Sequence, residues 1–358
     1  MPQPKGRDLQ QTAEQLQRWL AAQLPQAKDL VVRDLRGPKD TGFSSDTLMF
    51  SLDMAEQGER VQREMVVRLE PLSEFGVFPE YDAPLQFRMM EALHGTAVPV
   101  PQMHWLEEDP GPLGSPFYVM ERVDALVPSD SPPYHAEGWL VDASPEERER
   151  LWYSGLDAMA EVHRLDLSDQ RFDFLVRPNA DQTAIHAQLA YWQRYIDWGI
   201  DRNRYPLIAR GLDWLIAHAP SEEPVGICWG DARISNQLFR DFRCVAVIDW
   251  EMVFVGNPEA DLAWFVVTDR AFTEGLGLSR LPGFPDAAAT IRRWEQQVGR
   301  SASLFTFYEI FAAWRFAVIM ARVFQQMKHY EAVPEDSDID QVNFTTPVLE
   351  AVLSAVGA

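Results

Sequence analysis

Apolar residues at Leu9, Ala13, Leu16 and Leu20 recur at helical spacing and predict an amphipathic helix over 9–24, ended by Pro25. The period then changes. "DLVVRDL", "DTLMFSLDM" and "REMVVRLEP" are short runs of Val, Leu, Met and Phe that predict three strands. "AEQGER" separates the last two and reads as a hairpin turn. A helix is expected around Pro84–His94, followed by strands in "VPVPQMHWLEED" and "PFYVMERV". Residues 1–123 therefore form a strand-dominated unit with one inserted helix.

"DALVPSDSPPYHAEG" has the Pro, Ser and Asp content of a linker. Beyond it the pattern turns helical. "SPEERERLWYSGLDAMAEVHRL" opens with Ser144 as N-cap and Glu147 at the capping-box position. Further helices are expected around 181–198, 205–218, 286–299 and 303–328, with short strands only in 225–250. The expected class is α+β: a small mixed-sheet lobe over 1–123 and a larger, mostly helical lobe over 124–358. A cleft between two such lobes is a common ligand site.

The segment 236–249, "NQLFRDFRCVAVID", holds two apolar strands around "RDFR". A hairpin centred between Phe242 and Arg243 pairs Asp241 with Cys244 and Leu238 with Val247, and sets Asn236 opposite Asp249. Opposed residues of an antiparallel pair have Cα atoms roughly 4.5–5.5 Å apart. An amide oxygen and a carboxylate so close suit Mg²⁺, which takes few protein ligands and shares the rest with phosphate and water. Asp231 would sit on the loop leading in, where it can orient a nucleophile. The plainer alternative is that Asp231 and Asn236 form Asx turns or cap a helix.

Composition narrows the partners. The chain has 358 residues and a formal charge of −22. That balance argues against nucleic acid, which needs clustered Lys and Arg. It permits a cationic ligand, although most of the charge reads as solvated surface. No apolar run approaches the ~20 residues of a membrane helix, and "MPQPKGRDLQQTAEQLQ" has no apolar signal core. The two cysteines, Cys228 and Cys244, make neither a disulfide framework nor a structural zinc site. A cytoplasmic location is expected, with no membrane partner.

"WGDARISN" and "VAVIDWEMVFVGNPEADLAW" resemble the two signature segments of the aminoglycoside phosphotransferase and choline-kinase-like superfamily. "GSPFYVMERVDA", "MAEVHRLD" and "FAAWRFAVIMAR" resemble the branch related to the kinase-like domains of acyl-CoA dehydrogenase fusions. The resemblance implies a protein-kinase-like bilobal fold and transfer of the γ-phosphate of ATP or GTP to a small-molecule hydroxyl with Mg²⁺. It assigns Asp231 as catalytic base, Asn236 and Asp249 as metal ligands, and Asp261 as a brace of the catalytic loop. Glu251 would reach a second metal or the substrate, and Arg233 is a further candidate site residue. Met120, Glu121 and Val123 match the hinge that faces the adenine. "GFSSDTL", with Phe43, Ser44 and Ser45, matches the hairpin over the phosphates.

The chain departs from the family pattern in three ways. Trp229 stands where the signature has His. Arg68 stands for the phosphate-binding lysine, keeping its charge and offering a bidentate fork. The helix glutamate that would pair with it has no clean counterpart; Gln86 aligns nearest, and Glu80 is the nearby acid. These departures leave a second reading, a catalytically weak nucleotide-binding pseudokinase or sensor. His163 reads as a packed structural histidine. The aromatics of 191–198 read as helix packing, with Tyr191, Trp192 or Trp198 lining an acceptor pocket as the alternative.

Overall fold

The computed structural model describes residues 7–37, 46–56, 58–72, 74–179 and 182–358. Phe43, Ser44 and Ser45 of the expected phosphate hairpin lie outside the described residues. The chain begins with α1 (Leu9–Gln23), then β1 (Lys28–Arg36), β2 (Asp46–Glu56), β3 (Glu59–Leu69), α2 (Ala83–Leu93), β4 (Met103–Glu107) and β5 (Phe117–Glu121). The strands form an antiparallel sheet in the order β1-β2-β3-β5-β4. Leu16, Trp19 and Leu20 of α1 pack with Phe50, Leu52, Met65, Val67, Phe117 and Val119 into a cluster of their own.

The second part is mostly helical. It runs through α3 (Trp139–Asp142), α4 (Pro145–His163), α5 (Ala184–Gly199), α6 (Pro206–His218), β6 (Gly226–Cys228), β7 (Gln237–Arg240), β8 (Arg243–Val247) and β9 (Phe254–Gly256). It ends with α7 (Glu259–Ala271), α8 (Ala287–Val298), α9 (Phe305–His329) and α10 (Thr346–Ala355). The capping box of α4 is present: Glu147 N–H donates to Ser144 Oγ at 3.2 Å, and Ser144 N–H donates to Glu147 Oε2 at 2.7 Å. Among the described residues no helix is long and apolar enough to cross a membrane.

Hydrophobic periodicity does not announce α7. Twelve of its residues, from Glu259 round to Ala271 with the exception of Arg270, are buried, so the helix has no polar face for the period to reveal. α7 runs through the middle of the helical part and packs on α9.

The two parts are fastened by the chain between β3 and α2. Three consecutive carbonyls there accept from side chains of the helical part. Phe75 O takes Gln326 Nε2 at 2.6 Å, Gly76 O takes Arg322 Nε at 2.9 Å, and Val77 O takes Tyr195 Oη at 2.5 Å. The Arg322 guanidinium also lies over the rings of Phe75 and Trp198, 3.7 and 4.5 Å from their centroids. Val77, Phe78 and the inner face of α2 belong to the helical part's core rather than to the sheet's.

Replacing Ser144 by Ala removes the hydroxyl that accepts from Glu147 N–H and leaves only the backbone bond to Glu147 Oε2. Loss of an N-cap side chain costs about 0.5–2 kcal/mol. The expected result is a lowered urea midpoint with an unchanged m-value, and an unshifted midpoint would count against the cap.

Candidate active site

The site grows out of the β7–β8 hairpin. Its turn is Asp241–Phe242, both with positive φ (50° and 60°), the geometry a two-residue hairpin prefers. Arg240 therefore faces Arg243, and Phe239 faces Cys244. A one-residue shift follows, giving Leu238 opposite Ala246 and Gln237 opposite Val247. This corrects the expected pairing of Asp241 with Cys244, of Leu238 with Val247 and of Asn236 with Asp249. The turn lies one residue earlier than expected, and the bulge recovers only part of the difference. Asn236 instead meets Ile248, whose N–H donates to its carbonyl at 3.0 Å. Asp249 follows at once, in a left-handed conformation (φ 64°).

Around this hairpin the loop "WGDARISN" is held at every residue from 229 to 231. The buried Asp261 carboxylate accepts from Trp229 N–H at 2.6 Å and Gly230 N–H at 2.9 Å. Its Oδ2 also meets His163 Nε2 at 3.0 Å. His163 Nδ1 accepts from the Trp294 indole at 2.8 Å, so Nε2 carries the proton that bonds Asp261. His163 is thus the structural histidine that its helical position suggested. Gly230 has φ 91°, and a Cβ there would lie 1.9 Å from the Met252 carbonyl oxygen, so no other residue fits.

Trp229 does more than fill the place of a histidine. Its indole N–H is shared between the carbonyls of Ile248 and Asp249, both at 3.0 Å. The tryptophan therefore ties the loop to the segment carrying Asp249, and its ring packs against Trp250.

Asp231 is buried and meets three donors. Trp264 Nε1 bonds Oδ1 at 2.8 Å, Asn236 Nδ2 bonds Oδ2 at 2.7 Å, and Arg233 Nε bridges both oxygens at 3.1 Å. Asn236 and Asp231 are therefore joined directly, an arrangement that neither an Asx turn nor a helix cap requires. Arg233 also grips Asp130 from the 124–138 connection. Burial opposes the charge on Arg233, but Asp130 and then Asp231 outweigh it and hold its pKa above the usual arginine value.

Arg68, on β3, sits between Thr47 on β2 and Tyr118 on β5. It reaches across to Asp249, with Nη2 2.7 Å from Oδ1. Burial again opposes its charge and Asp249, Tyr118 and Glu251 raise its pKa. The bond is single rather than a fork, and Nε finds no partner among the described residues. Gln86 does not take the missing glutamate's place: it is buried and accepts from Tyr118 Oη at 3.2 Å. Glu80 is exposed. Arg68 thus pairs with an acid of the helical part instead of one on α2.

Met120 is buried at the end of β5, and Glu121 N–H donates to Gln102 O at 2.9 Å. Val123 follows as the chain leaves the sheet. Glu251 is two residues past Asp249, and both Tyr81 and Tyr191 feel its charge after the larger effect of their own burial. On α5, Trp192 and Tyr195 are buried packing residues, while Tyr191 and Trp198 are exposed. A surface cavity of about 430 Å³ lies elsewhere, lined by residues such as Leu167, Arg177, Thr183 and Glu223, and includes none of the residues around Asp231. Among the described residues no three His, Cys, Asp or Glu cluster as metal ligands.

Sequence reasoning did not single out Trp264 or Arg315 as part of this network. Trp264 lies three residues past Asp261, one helical turn along α7, and that spacing was the available signal.

A profile of the phosphotransferase enzyme family matches residues 54–296. Acyl-CoA dehydrogenase family member 10 of Mus musculus is 26% identical over 252 residues, covering 67% of this chain and 22% of that protein. Acyl-CoA dehydrogenase family member 11 of Homo sapiens is 25% identical over 183 residues, or 50% of this chain and 22% of that protein. The chain thus spans about a fifth of the length of these relatives. A crystal structure of a putative aminoglycoside phosphotransferase from Ralstonia eutropha JMP134 superposes with a TM-score of 0.70 at 24% identity, covering 95% of this chain and 97% of that one. The GDP complex of an aminoglycoside 2′-phosphotransferase does so with a TM-score of 0.58 at 13% identity, covering 96% and 99%. The chain belongs to the phosphotransferase enzyme family and has its protein-kinase-like α+β fold.

Proposed function

We propose that this chain transfers the γ-phosphate of ATP or GTP to the hydroxyl of a small molecule in a Mg²⁺-dependent reaction. One observation carries the reading. Asp231, Asn236 and Asp249 converge at the hairpin mouth, and Arg68 reaches Asp249 from the sheet. In this reading 1–123 is the nucleotide lobe and 124–358 the catalytic and acceptor lobe, with the backbone at Met120, Glu121 and Val123 along the adenine edge.

Phosphoryl transfer asks for positioning and charge neutralisation more than for covalent chemistry. A carboxylate has about four lone-pair sites. The donors on Asp231 make four contacts, two on each oxygen, so the acceptor hydroxyl would take the place of one arm of the bridging Arg233. Asp231 would align that hydroxyl and take its proton as the new O–P bond forms and the bond to the leaving nucleoside diphosphate breaks. Arg68 would hold phosphate oxygens. Asn236 and Asp249 fit a Mg²⁺ site: the Asn236 N–H₂ is engaged by Asp231, which leaves its amide oxygen as the donor, and Asp249 adds a carboxylate. When bound there, Mg²⁺ would neutralise phosphate charge. Glu251 is close enough in sequence to join the metal or the acceptor.

The Arg68–Asp249 bond favours a second reading, nucleotide binding without turnover, because it engages a metal ligand with a cation. Nucleotide titration run beside a turnover assay separates the two. For the acceptor, solved structures in the same fold carry ADP with hygromycin B, which points to aminoglycosides. The acyl-CoA dehydrogenase relatives point to a metabolite alcohol. We adopt the metabolite, since the Arg322 guanidinium stacked on Trp198 on the α5–α9 side would repel a polycation.

Asp231→Ala should leave nucleotide affinity nearly unchanged and lower kcat by roughly 10²-fold or more; near-normal turnover would remove Asp231 from its role. Asp249→Asn keeps shape and removes charge. Calorimetry should then show loss of Mg²⁺-dependent nucleotide binding with the far-UV spectrum retained and the melting temperature lowered, because the buried Arg68 loses its charged partner, whereas unchanged affinity would show that Asp249 is not a ligand. In steady-state assays, hydroxyacyl acceptors should outperform kanamycin-type ones. Efficient aminoglycoside phosphorylation that weakens with salt would overturn the metabolite reading.

A further inference from the structure

The indole of Trp264 makes an unusual choice of partner. Trp152 and Trp314 bond groups outside the 229–231 loop: Trp152 donates to Thr290 Oγ1 at 2.9 Å, and Trp314 to the Ile208 carbonyl at 2.8 Å. Trp264 instead donates to the carboxylate of Asp231. Its ring is fixed from two sides. The Arg315 guanidinium lies over it, 4.0 Å from the ring centroid, and Phe316 packs at 5.3 Å between centroids. Arg315 in turn donates from Nη2 to the Gly230 carbonyl at 2.7 Å. Burial lowers the pKa of Arg315 to about 10, opposed by Asp261 and Asp231. Asp261 and Trp264 share one face of α7, so a single helix turn holds the backbone of 229–230 and the side chain of 231.

We infer that Trp264 is a positioning residue for phosphoryl transfer: its indole N–H sets the rotamer of Asp231, and Arg315, stacked on the indole and bonded to Gly230, sets the indole. This rests on the reading of Asp231 as the base. An indole is a donor only. It therefore fixes one oxygen without competing for the proton that Asp231 takes from the acceptor. Arg233 and Asn236 hold the same carboxylate from within its own loop, whereas Trp264 refers it to a buried helix. A displacement of about 1 Å at a reacting group can slow turnover about 10²-fold, so the aim of this carboxylate has kinetic weight.

Trp264→Phe removes the N–H and keeps most of the ring on which Arg315 stacks. With MgATP and water as acceptor, phosphate release should fall about 10- to 100-fold. MgADP affinity should stay within about twofold. Trp152→Phe, which loses an indole N–H far from Asp231, should leave both unchanged. In an Asp231→Ala background Trp264→Phe should cause no further loss, because the two act through one group. Indole-¹⁵N spectra give a readout independent of turnover: the resonance that Trp264→Phe deletes should move on Asp231→Ala. Phosphate release within twofold of wild type in Trp264→Phe, additive losses in the double variant, or an unmoved indole resonance would each overturn the inference. Asp231→Ala with normal release would overturn the base reading, and this inference with it. Loss in Asp231→Ala without loss in Trp264→Phe would overturn this inference alone.

Discussion

The buried carboxylate of Asp261 is the point on which the site turns. A charge with no exposure survives in a protein interior only when its oxygens are fully bonded. Asp261 meets that condition by taking the N–H groups of Trp229 and Gly230 and the imidazole of His163. Those same bonds impose the turn at Gly230 that delivers Asp231. His163 is itself oriented by Trp294, so α4, α7 and α8 all contribute to one loop conformation. The backbone of the 229–230 loop thus serves as the solvation shell of a buried acid.

The second constraint lies between the lobes. The sheet has its own small core, while α2 and the chain before it pack into the helical core. Gln326, Arg322 and Tyr195 hold three successive carbonyls at 75–77, which fixes that wall of the cleft against α5 and α9. A further link is the Arg68–Asp249 pair. A buried ion pair is weak evidence of stability, since desolvation offsets much of the attraction. Its value is geometric: it brings a strand cation to the acid that ends the hairpin. The family's helix glutamate is replaced by an acid from the opposite lobe.

Local pattern by itself determined α1, α2, the capped start of α4 and the helices α5, α6 and α8, because each buries one face and so leaves its period in the sequence. β5, α9 and the second half of β3 are buried on most sides and were marked by their apolar runs instead. It also determined which residues the site draws on: the spacing of Asp231, Asn236 and Asp249 around a two-strand run brought them to one hairpin mouth. What only the tertiary structure decided has a common cause. α7 is buried on nearly every side, so no period marked it, and the grip of Asp261 and Trp264 on the loop depends on where that helix lies. The hairpin register was set by the positive-φ turn at Asp241–Phe242 and a bulge, which a count along the chain cannot see. The partners of Arg68, Trp229 and Arg315 were likewise undetermined, because a buried donor bonds whichever acceptor packing leaves beside it, and packing joins residues far apart in the chain.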